Sequence, residues 1–368
     1  MSNQFRELLK KVGSGQHTKK DLTRSEAATA AKMMLLQEAT PAQIGAFMIA
    51  HRIKRPTVAE LVGMLDAYDE LGPKLQPLPD VSKTVTVFGT PYDGRTRTAP
   101  VTIITALLLA SVGIPVVMHG GDCMPTKYGV PLIEIWQGLG IDFSQLSLVQ
   151  VQQLLVKTGL AFVYIPKHFP QANSLVPYRS QIGKRPPAAT LELIWSPYRG
   201  NSHLVAGYVH PPTENLFREA FKLRNQTNYT LVKGLEGSCD LPRNRTAIIM
   251  VSKPETTTGF ECLKLHPRDY GFAGDEVSLE STALLLCEVK DILAGKPSEL
   301  MKSTIWNGGF YLWRCGICSD LTTGLSKAEV MLTSGQVAQK LTEIGSIVKS
   351  LVNQELEQTT SNIFSVDR

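Results

Sequence analysis

No stretch of this 368-residue sequence is both long and apolar enough to span a bilayer. The longest apolar run, residues 103–118, is broken by Thr105, Ser111, Gly113 and Pro115. It falls short of the ~20 residues that a membrane helix requires. The amino-terminal residues hold no apolar core with a small-residue cleavage site, so a cytoplasmic protein without an export signal is expected. Charged residues make up only 19% of the chain and hydrophobic ones 43%, a balance that excludes a disordered scaffold. The six cysteines, at 123, 239, 262, 287, 315 and 318, are scattered and read as reduced, buried thiols. Cys315 and Cys318 form a CxxC, but no second pair and no paired histidines complete four zinc ligands. Internal repeats, a G-x-S-x-G elbow, an H-E-x-x-H helix and a P-loop are absent.

The length suits roughly two structural units. The net charge of +5, from 38 basic against 33 acidic residues, permits phosphate-bearing ligands or nucleic acid and demands neither. The first 73 residues read as helices. Thr23 with Glu26, Thr40 with Gln43 and Thr57 with Glu60 have the spacing of capping boxes, and Pro41 sits where a first helical residue needs no amide. Apolar residues recur at helical spacing behind them: Ala28, Ala31 and Leu35; Ile44, Phe47 and Met48; Leu61 and Leu65. A small helical bundle follows. Residues 71–80, with three prolines and a glycine, read as a linker. Beyond them, β-rich runs at 84–88, 114–118, 160–165, 204–209, 229–232 and 247–251 alternate with helical stretches. That alternation predicts βαβ units around a mainly parallel sheet. A polar tail is expected over 354–368.

The first strand runs into Gly89, Thr90, Pro91, Tyr92, Asp93 and Gly94, and then into a helix over 101–111. Such a loop lies beside a helix amino terminus, where free amides favour an anion; it also reads simply as a tight turn. The next strand ends in Met118, His119, Gly120 and Gly121, which sets a second glycine-bearing loop on the same sheet edge. Two adjacent loops of this kind point to a ligand cleft.

Residues 22–68 resemble the amino-terminal helical domain of the anthranilate phosphoribosyltransferase family, whose fold is shared with the pyrimidine nucleoside phosphorylases. The similarity continues through the Gly89 loop, Met118-His119-Gly120 and Arg179-Ser180-Gln181-Ile182-Gly183. It runs on through Asn307-Gly308-Gly309 and Ser334-Gly335-Gln336, so it covers nearly the whole chain. The resemblance implies an α/β fold with a small helical domain and a larger domain built on a central, mainly parallel sheet. The small domain would comprise residues 1–73 with a returning segment near 171–190, and the larger one 81–170 and 191–353. It also implies displacement of diphosphate from phosphoribosyl pyrophosphate by an aromatic amine, assisted by magnesium, in tryptophan biosynthesis. A homodimer through the helical domain is implied too, and the apolar helix faces above suit that role. By the same resemblance residues 306–318 are helical, so that Cys315 and Cys318 pack on one face, and His168 lines the cleft or supports it.

The family's diphosphate loop, Gly-Thr-Gly-Gly-Asp-Gly followed by Asn-Ile-Ser-Thr, is matched here by Gly89, Thr90, Asp93, Gly94 and Thr102. Pro91 offers no amide, Tyr92 fills space where glycine lets backbone approach, and Ala99 and Val101 cannot donate. Each lost charge-assisted hydrogen bond removes about 1.5–3 kcal/mol. In the second loop Met118 replaces a lysine while His119 and Gly120 stay. Of the family's paired magnesium carboxylates, Cys239 replaces the first and Asp240 stands for the second; Asp240 is a single hard ligand or a plain turn residue.

Gly89, Thr90, Asp93, Gly94, Thr102, His119 and Gly120 are therefore the candidate phosphosugar contacts. Arg179, which matches the arginine that orients the aromatic acid, joins Arg95 and Arg97 as a candidate anion contact. Arg95 and Arg97 equally suit a solvated loop. No catalytic side chain is assigned. Two functions stand at this point: a phosphoribosyltransferase-type protein whose parent activity is weak or absent, or a non-catalytic homodimer of this fold that binds nucleic acid or another polyanion.

Overall fold

Each of the three capping boxes starts a helix. Thr23, Thr40 and Thr57 accept from the amides of Glu26, Gln43 and Glu60, and those side chains return to the threonine amides. The computed structural model describes residues 3–15 and 17–366, with side chains through residue 354. α1 (Asn3–Gly13) precedes α2 (Arg24–Leu35), α3 (Pro41–Lys54) and α4 (Val58–Leu71). α2 and α4 pack so closely at Gly63 that a Cβ there would lie 2.1 Å from the Arg24 carbonyl. Glu60, buried among these helices, accepts from the Leu22 amide at 2.8 Å, the Thr57 amide at 2.7 Å and Lys54 Nζ at 2.8 Å.

The apolar faces offered for pairing are consumed inside this bundle: Ala31, Leu35, Ile44, Phe47, Met48, Leu61 and Leu65 are all buried. A different surface remains open, where Gly45, Ala46, Ile49, Ala50, Ile53 and Ile182 line a groove of about 910 Å³. The expected linker is tied down. Leu75 donates to the Pro197 carbonyl and accepts from the Arg199 amide, while Leu75 and Leu78 are buried.

The larger body runs β1 (Val85–Gly89), α5 (Thr102–Ser111), β2 (Val116–Gly120), α6 (Leu132–Gly138), α7 (Leu148–Thr158) and β3 (Leu160–Tyr164). Short helices α8 (Ile165–His168), α9 (Pro170–Asn173), α10 (Val176–Ile182) and α11 (Ala188–Leu191) return to the bundle, where Tyr178 donates to Gln37 between α2 and α3. The chain then forms β4 (Ser202–Gly207), α12 (Pro211–Leu223), β5 (Tyr229–Val232), β6 (Ala247–Ser252) and β7 (Phe260–Leu265). It closes with α13 (Thr282–Leu293), α14 (Glu299–Arg314), α15 (Leu321–Thr333) and α16 (Gln336–Val366).

The sheet order is β3-β2-β1-β4-β5-β6-β7, parallel from β3 to β5 and antiparallel at β6 and β7. β7 was not anticipated. Glu261 and Lys264 interrupt its apolar pattern because it is a half-exposed edge strand. α14 ends at Arg314, so Cys315 caps it and Cys318 lies beyond the helix; the shared helical face expected for the pair does not exist. Cys318 is nonetheless buried, and Cys315 Sγ packs 3.6 Å from Thr86 Oγ1. The tail expected from residue 354 carries helical backbone as far as Val366; residues 367 and 368 lie outside the described part. Among the described residues no helix is long and apolar enough to cross a membrane.

Candidate functional site

Strand order reverses between β1 and β4, and in open α/β sheets ligands sit beyond the carboxyl ends of strands at such a point. Here that edge is roofed by the chain itself. A Cβ on Gly89 would lie 1.8 Å from the Leu193 carbonyl, and one on Gly207 would lie 2.1 Å from that of Ser238. Gly89 therefore serves the close approach of two backbone segments.

The loop after β1 is buried through Arg95, and its charges are met from within. Arg95 donates to Asp240 at 2.9 Å, to Glu236 at 3.3 Å, to Ser238 at 2.8 Å and to Thr98. Asp240 also accepts from the Thr102 hydroxyl at 2.7 Å and the Val101 amide at 3.2 Å. The guanidinium of Arg95 is thus buried against two carboxylates, and Asp240 accepts from a side-chain cation, a hydroxyl and an amide. Arg97 does extend into solvent, its side chain 77% exposed. Asp93 is fully buried and pairs with Arg185 at 2.5 Å. Gly94 takes a positive φ of 71°, which lets Gly129 pack against it. Thr90 is buried beside these groups.

Glu236 gathers the most contacts. The amides of Arg97 and Thr98 reach Oε1 at 3.0 Å each and that of Thr96 reaches Oε2 at 3.2 Å. The hydroxyls of Thr96 and Thr98 add 3.2 and 3.1 Å contacts, and Lys127 Nζ lies at 2.5 Å. Burial works to raise the Glu236 carboxyl, but Lys127, the Arg97 amide and Arg95 overcome it and hold it far below the usual range.

On the other side of the loop, Tyr92 is buried and its hydroxyl stands 2.5 Å from His119 Nδ1, while His119 meets Trp195 edge-on. Burial pushes His119 down to about 3, so it is a neutral imidazole at physiological pH. Gly120 ends β2 just beyond it, facing the Phe162 ring. Arg179 is buried and pairs with Glu192 at 2.8 Å. The space beside that pair measures about 20 Å³, room for a water molecule and not for an aromatic acid. Burial raises Glu192 above its ordinary value; Arg179 opposes that rise and the Asp93 charge adds to it. His168 supports the framework, with Nδ1 accepting from the Tyr164 amide at 3.0 Å and Nε2 lying 2.9 Å from the Leu146 carbonyl.

An open cavity of about 330 Å³ does exist between the two bodies, lined by Arg52, Pro91, Arg185, Tyr208, His210 and Glu236 among others. Sequence reasoning missed Lys127, Glu192 and Glu236. No local spacing marks them, and only Gly234 and Gly237 flanking Glu236 hinted at a special backbone.

Residues 6–72 match the helical bundle domain, and residues 82–338 the a/b domain, of a glycosyl transferase family. The chain is a member of that family, of the anthranilate phosphoribosyltransferase-like kind. It is 24% identical over 320 residues to the anthranilate phosphoribosyltransferase of Albidiferax ferrireducens, covering 85% of this chain and 88% of that one. To the enzyme of the same name from Azorhizobium caulinodans it is 25% identical over 358 residues, 95% and 98% of the two chains. The anthranilate phosphoribosyltransferase of Saccharomyces cerevisiae, solved in complex with PRPP and Mg, superposes with a TM-score of 0.82 at 16% identity, over 95% of this chain and 99% of that one. The Thermus thermophilus protein superposes at 0.73 with 17% identity, over 95% and 100%.

In this family member the residues do not fit magnesium. Asp240 spends its oxygens on Arg95, Thr102 and the Val101 amide, so a cation already stands against it. Cys239 turns its thiol to the carbonyls of Gly89 and Val205, and burial raises it well above the ordinary thiol range. A protonated thiol is no ligand for a hard cation. Among the described residues no group of three or more His, Cys, Asp or Glu side chains is placed to hold a metal ion.

Proposed function

We propose that this glycosyl transferase family chain no longer displaces diphosphate from phosphoribosyl pyrophosphate with magnesium, and that its interdomain cleft instead binds a phosphate-bearing ligand. The observation that carries this reading is the Arg95 guanidinium held between Asp240 and Glu236. A fixed side-chain cation replaces a mobile metal there, and it leaves no coordination position for a substrate's diphosphate. The Arg179–Glu192 pair supports the same conclusion at the other end of the cleft, since an internal carboxylate already neutralises the arginine expected to orient an aromatic acid. Catalysis in such a site would rest on positioning and electrostatics, and both are turned inward. Incubation with phosphoribosyl pyrophosphate, magnesium and anthranilate tests it: no diphosphate release is expected, and turnover would refute it.

A second reading, a polyanion such as nucleic acid, is favoured by the basic rim of the cavity. Arg52, at the end of α3, donates to the Arg185 carbonyl at 2.5 Å and so joins the exposed Lys184 and the half-buried Arg185; Arg97 is exposed nearby. Gel-shift affinity falling steeply with salt would support it, whereas absence of binding at low salt would remove it. We also assign homodimer formation to the Ile49–Ile53 side of α3, where the groove of about 910 Å³ exposes apolar surface. Cys123, Cys262 and Cys287 are exposed instead of buried as expected, and free thiols at all six cysteines suit a reducing cytoplasm.

A further inference from the structure

Residues 95–98 present three consecutive backbone amides, two hydroxyls and a guanidinium to one point, with Lys127 closing the far side. Successive amides in this arrangement form an anion-binding concavity, and what lies in it here is the carboxylate of Glu236. Two independent features mark that carboxylate as a removable occupant. Glu236 is held in left-handed backbone, φ 54° and ψ 23°, a conformation that costs a non-glycine residue free energy. It also borders the open cavity of about 330 Å³, so its side chain has somewhere to go and a ligand has a way in.

Charge completes the argument. Arg95, Arg97, Lys127 and Arg185 face Asp93, Asp240 and Glu236 in and around the loop. With the Glu236 carboxylate withdrawn, four cations face two anions, and a phosphate monoester dianion matches that difference. Arg95 keeps Asp240 as a partner throughout, so displacement strands no buried charge.

We propose that residues 95–98 and Lys127 form a binding site for a small phosphate monoester, kept closed by Glu236 as a built-in competitor. This rests on the phosphate-binding reading of the cleft but places the phosphate on the 95–98 segment instead of the 89–94 turn. The glutamate is a positioning and occluding residue, and ligand entry exchanges one carboxylate for one phosphate in the same cradle.

The test is calorimetric titration of inorganic phosphate and of ribose 5-phosphate at pH 7.5, where the monoester is a dianion, into the parent chain, Glu236→Gly and Glu236→Gly/Lys127→Met. Glycine accepts the left-handed backbone, which offsets part of the loss of the Glu236 contacts to Arg95 and Lys127, and thermal melting checks that Glu236→Gly remains folded. Glu236→Gly is expected to bind phosphate at least tenfold more tightly than the parent, and Lys127→Met to reverse most of that gain. Tighter binding of ribose 5-phosphate than of inorganic phosphate would place a sugar in the adjoining cavity, and equal binding would make inorganic phosphate the ligand. A folded Glu236→Gly chain that binds neither more tightly than the parent overturns the proposal, as does indifference to Lys127→Met. Loss of transfer and occlusion by Glu236 therefore stand on separate measurements, the first on diphosphate release from phosphoribosyl pyrophosphate and the second on binding of these monoesters.

Discussion

Arg95 and Asp240 lie 145 positions apart in sequence and meet at 2.9 Å, one guanidinium against one carboxylate, both buried. Around this contact charged side chains pair with one another, Arg179 with Glu192, Asp93 with Arg185 and Lys127 with Glu236, while Arg179 Nε and Nη2 and Asp93 Oδ2 are buried without a hydrogen-bond partner.

Removing Arg95 should therefore be expensive. Arg95→Met leaves Asp240 buried with no cation and deprives Glu236 of one, and breaking buried pairs in this way costs about 3–5 kcal/mol. Urea denaturation should show the midpoint falling accordingly. Arg95→Lys should recover little, because an ammonium cannot reproduce the forked contacts to Asp240, Ser238 and Glu236. An unchanged midpoint in either variant would show that the pairs contribute nothing.

The Arg179–Glu192 pair separates stability from site architecture. Arg179→Met alone strands a buried carboxylate and should destabilise by about 3–5 kcal/mol, whereas Arg179→Met/Glu192→Leu should return to within about 1 kcal/mol of the parent. A double-mutant cycle in urea measures this, and additive losses would contradict it.

Glu60 predicts a pH dependence for the helical domain. Burial opposes its ionisation, but His51, the Leu22 amide and Lys54 prevail and bring it down to about 2 from an ordinary 4.5. A depressed carboxyl stabilises the fold above the unfolded value, and that contribution fades as pH falls from 4.5 towards 2. Glu60→Gln should thus cost about 3 kcal/mol at pH 7, and its melting temperature should converge on the parent's as the solution is acidified through that window.

Gly89→Ala tests the roof over the sheet edge. Its Cβ would meet the Leu193 carbonyl at 1.8 Å, and backbone cannot yield as a side chain can. A loss of at least about 3 kcal/mol is expected, at the upper end of overpacking costs. Retained stability would mean that residues 191–195 lift easily and that the cleft opens.

Ile53 carries the pairing proposal. It is 74% exposed beside the apolar groove on α3, so Ile53→Asp should convert a dimer to a monomer in light scattering while leaving the melting curve of each subunit's fold nearly unchanged. A parent chain that already runs as a monomer would dismiss the interface.

The amino-acid order was enough for the local architecture, because capping boxes and hydrophobic periodicity act over three or four residues. Thr23, Thr40 and Thr57 each start the helix they announce, and β5 lies where its apolar run lies. β7 escaped because an edge strand with one wet face need not keep an apolar pattern. The helix carrying Asn307 was expected only from the family resemblance, and its end before Cys315 is set by a turn at Gly316, whose φ is 78°.

Which charges are available is a different kind of question. Set against the loop patterns of the family it resembles, Pro91, Tyr92, Met118 and Cys239 implied in sequence that amide donors, a lysine and a carboxylate were missing. That Arg95 fills the space against Asp240, that Glu236 occupies the amides of residues 96–98, and that Glu192 answers Arg179 were decided only when distant loops were brought to one sheet edge. The physical reason is range: backbone propensity is written in neighbouring residues, whereas the fate of a buried charge depends on whichever opposite charge the tertiary fold sets within hydrogen-bonding distance.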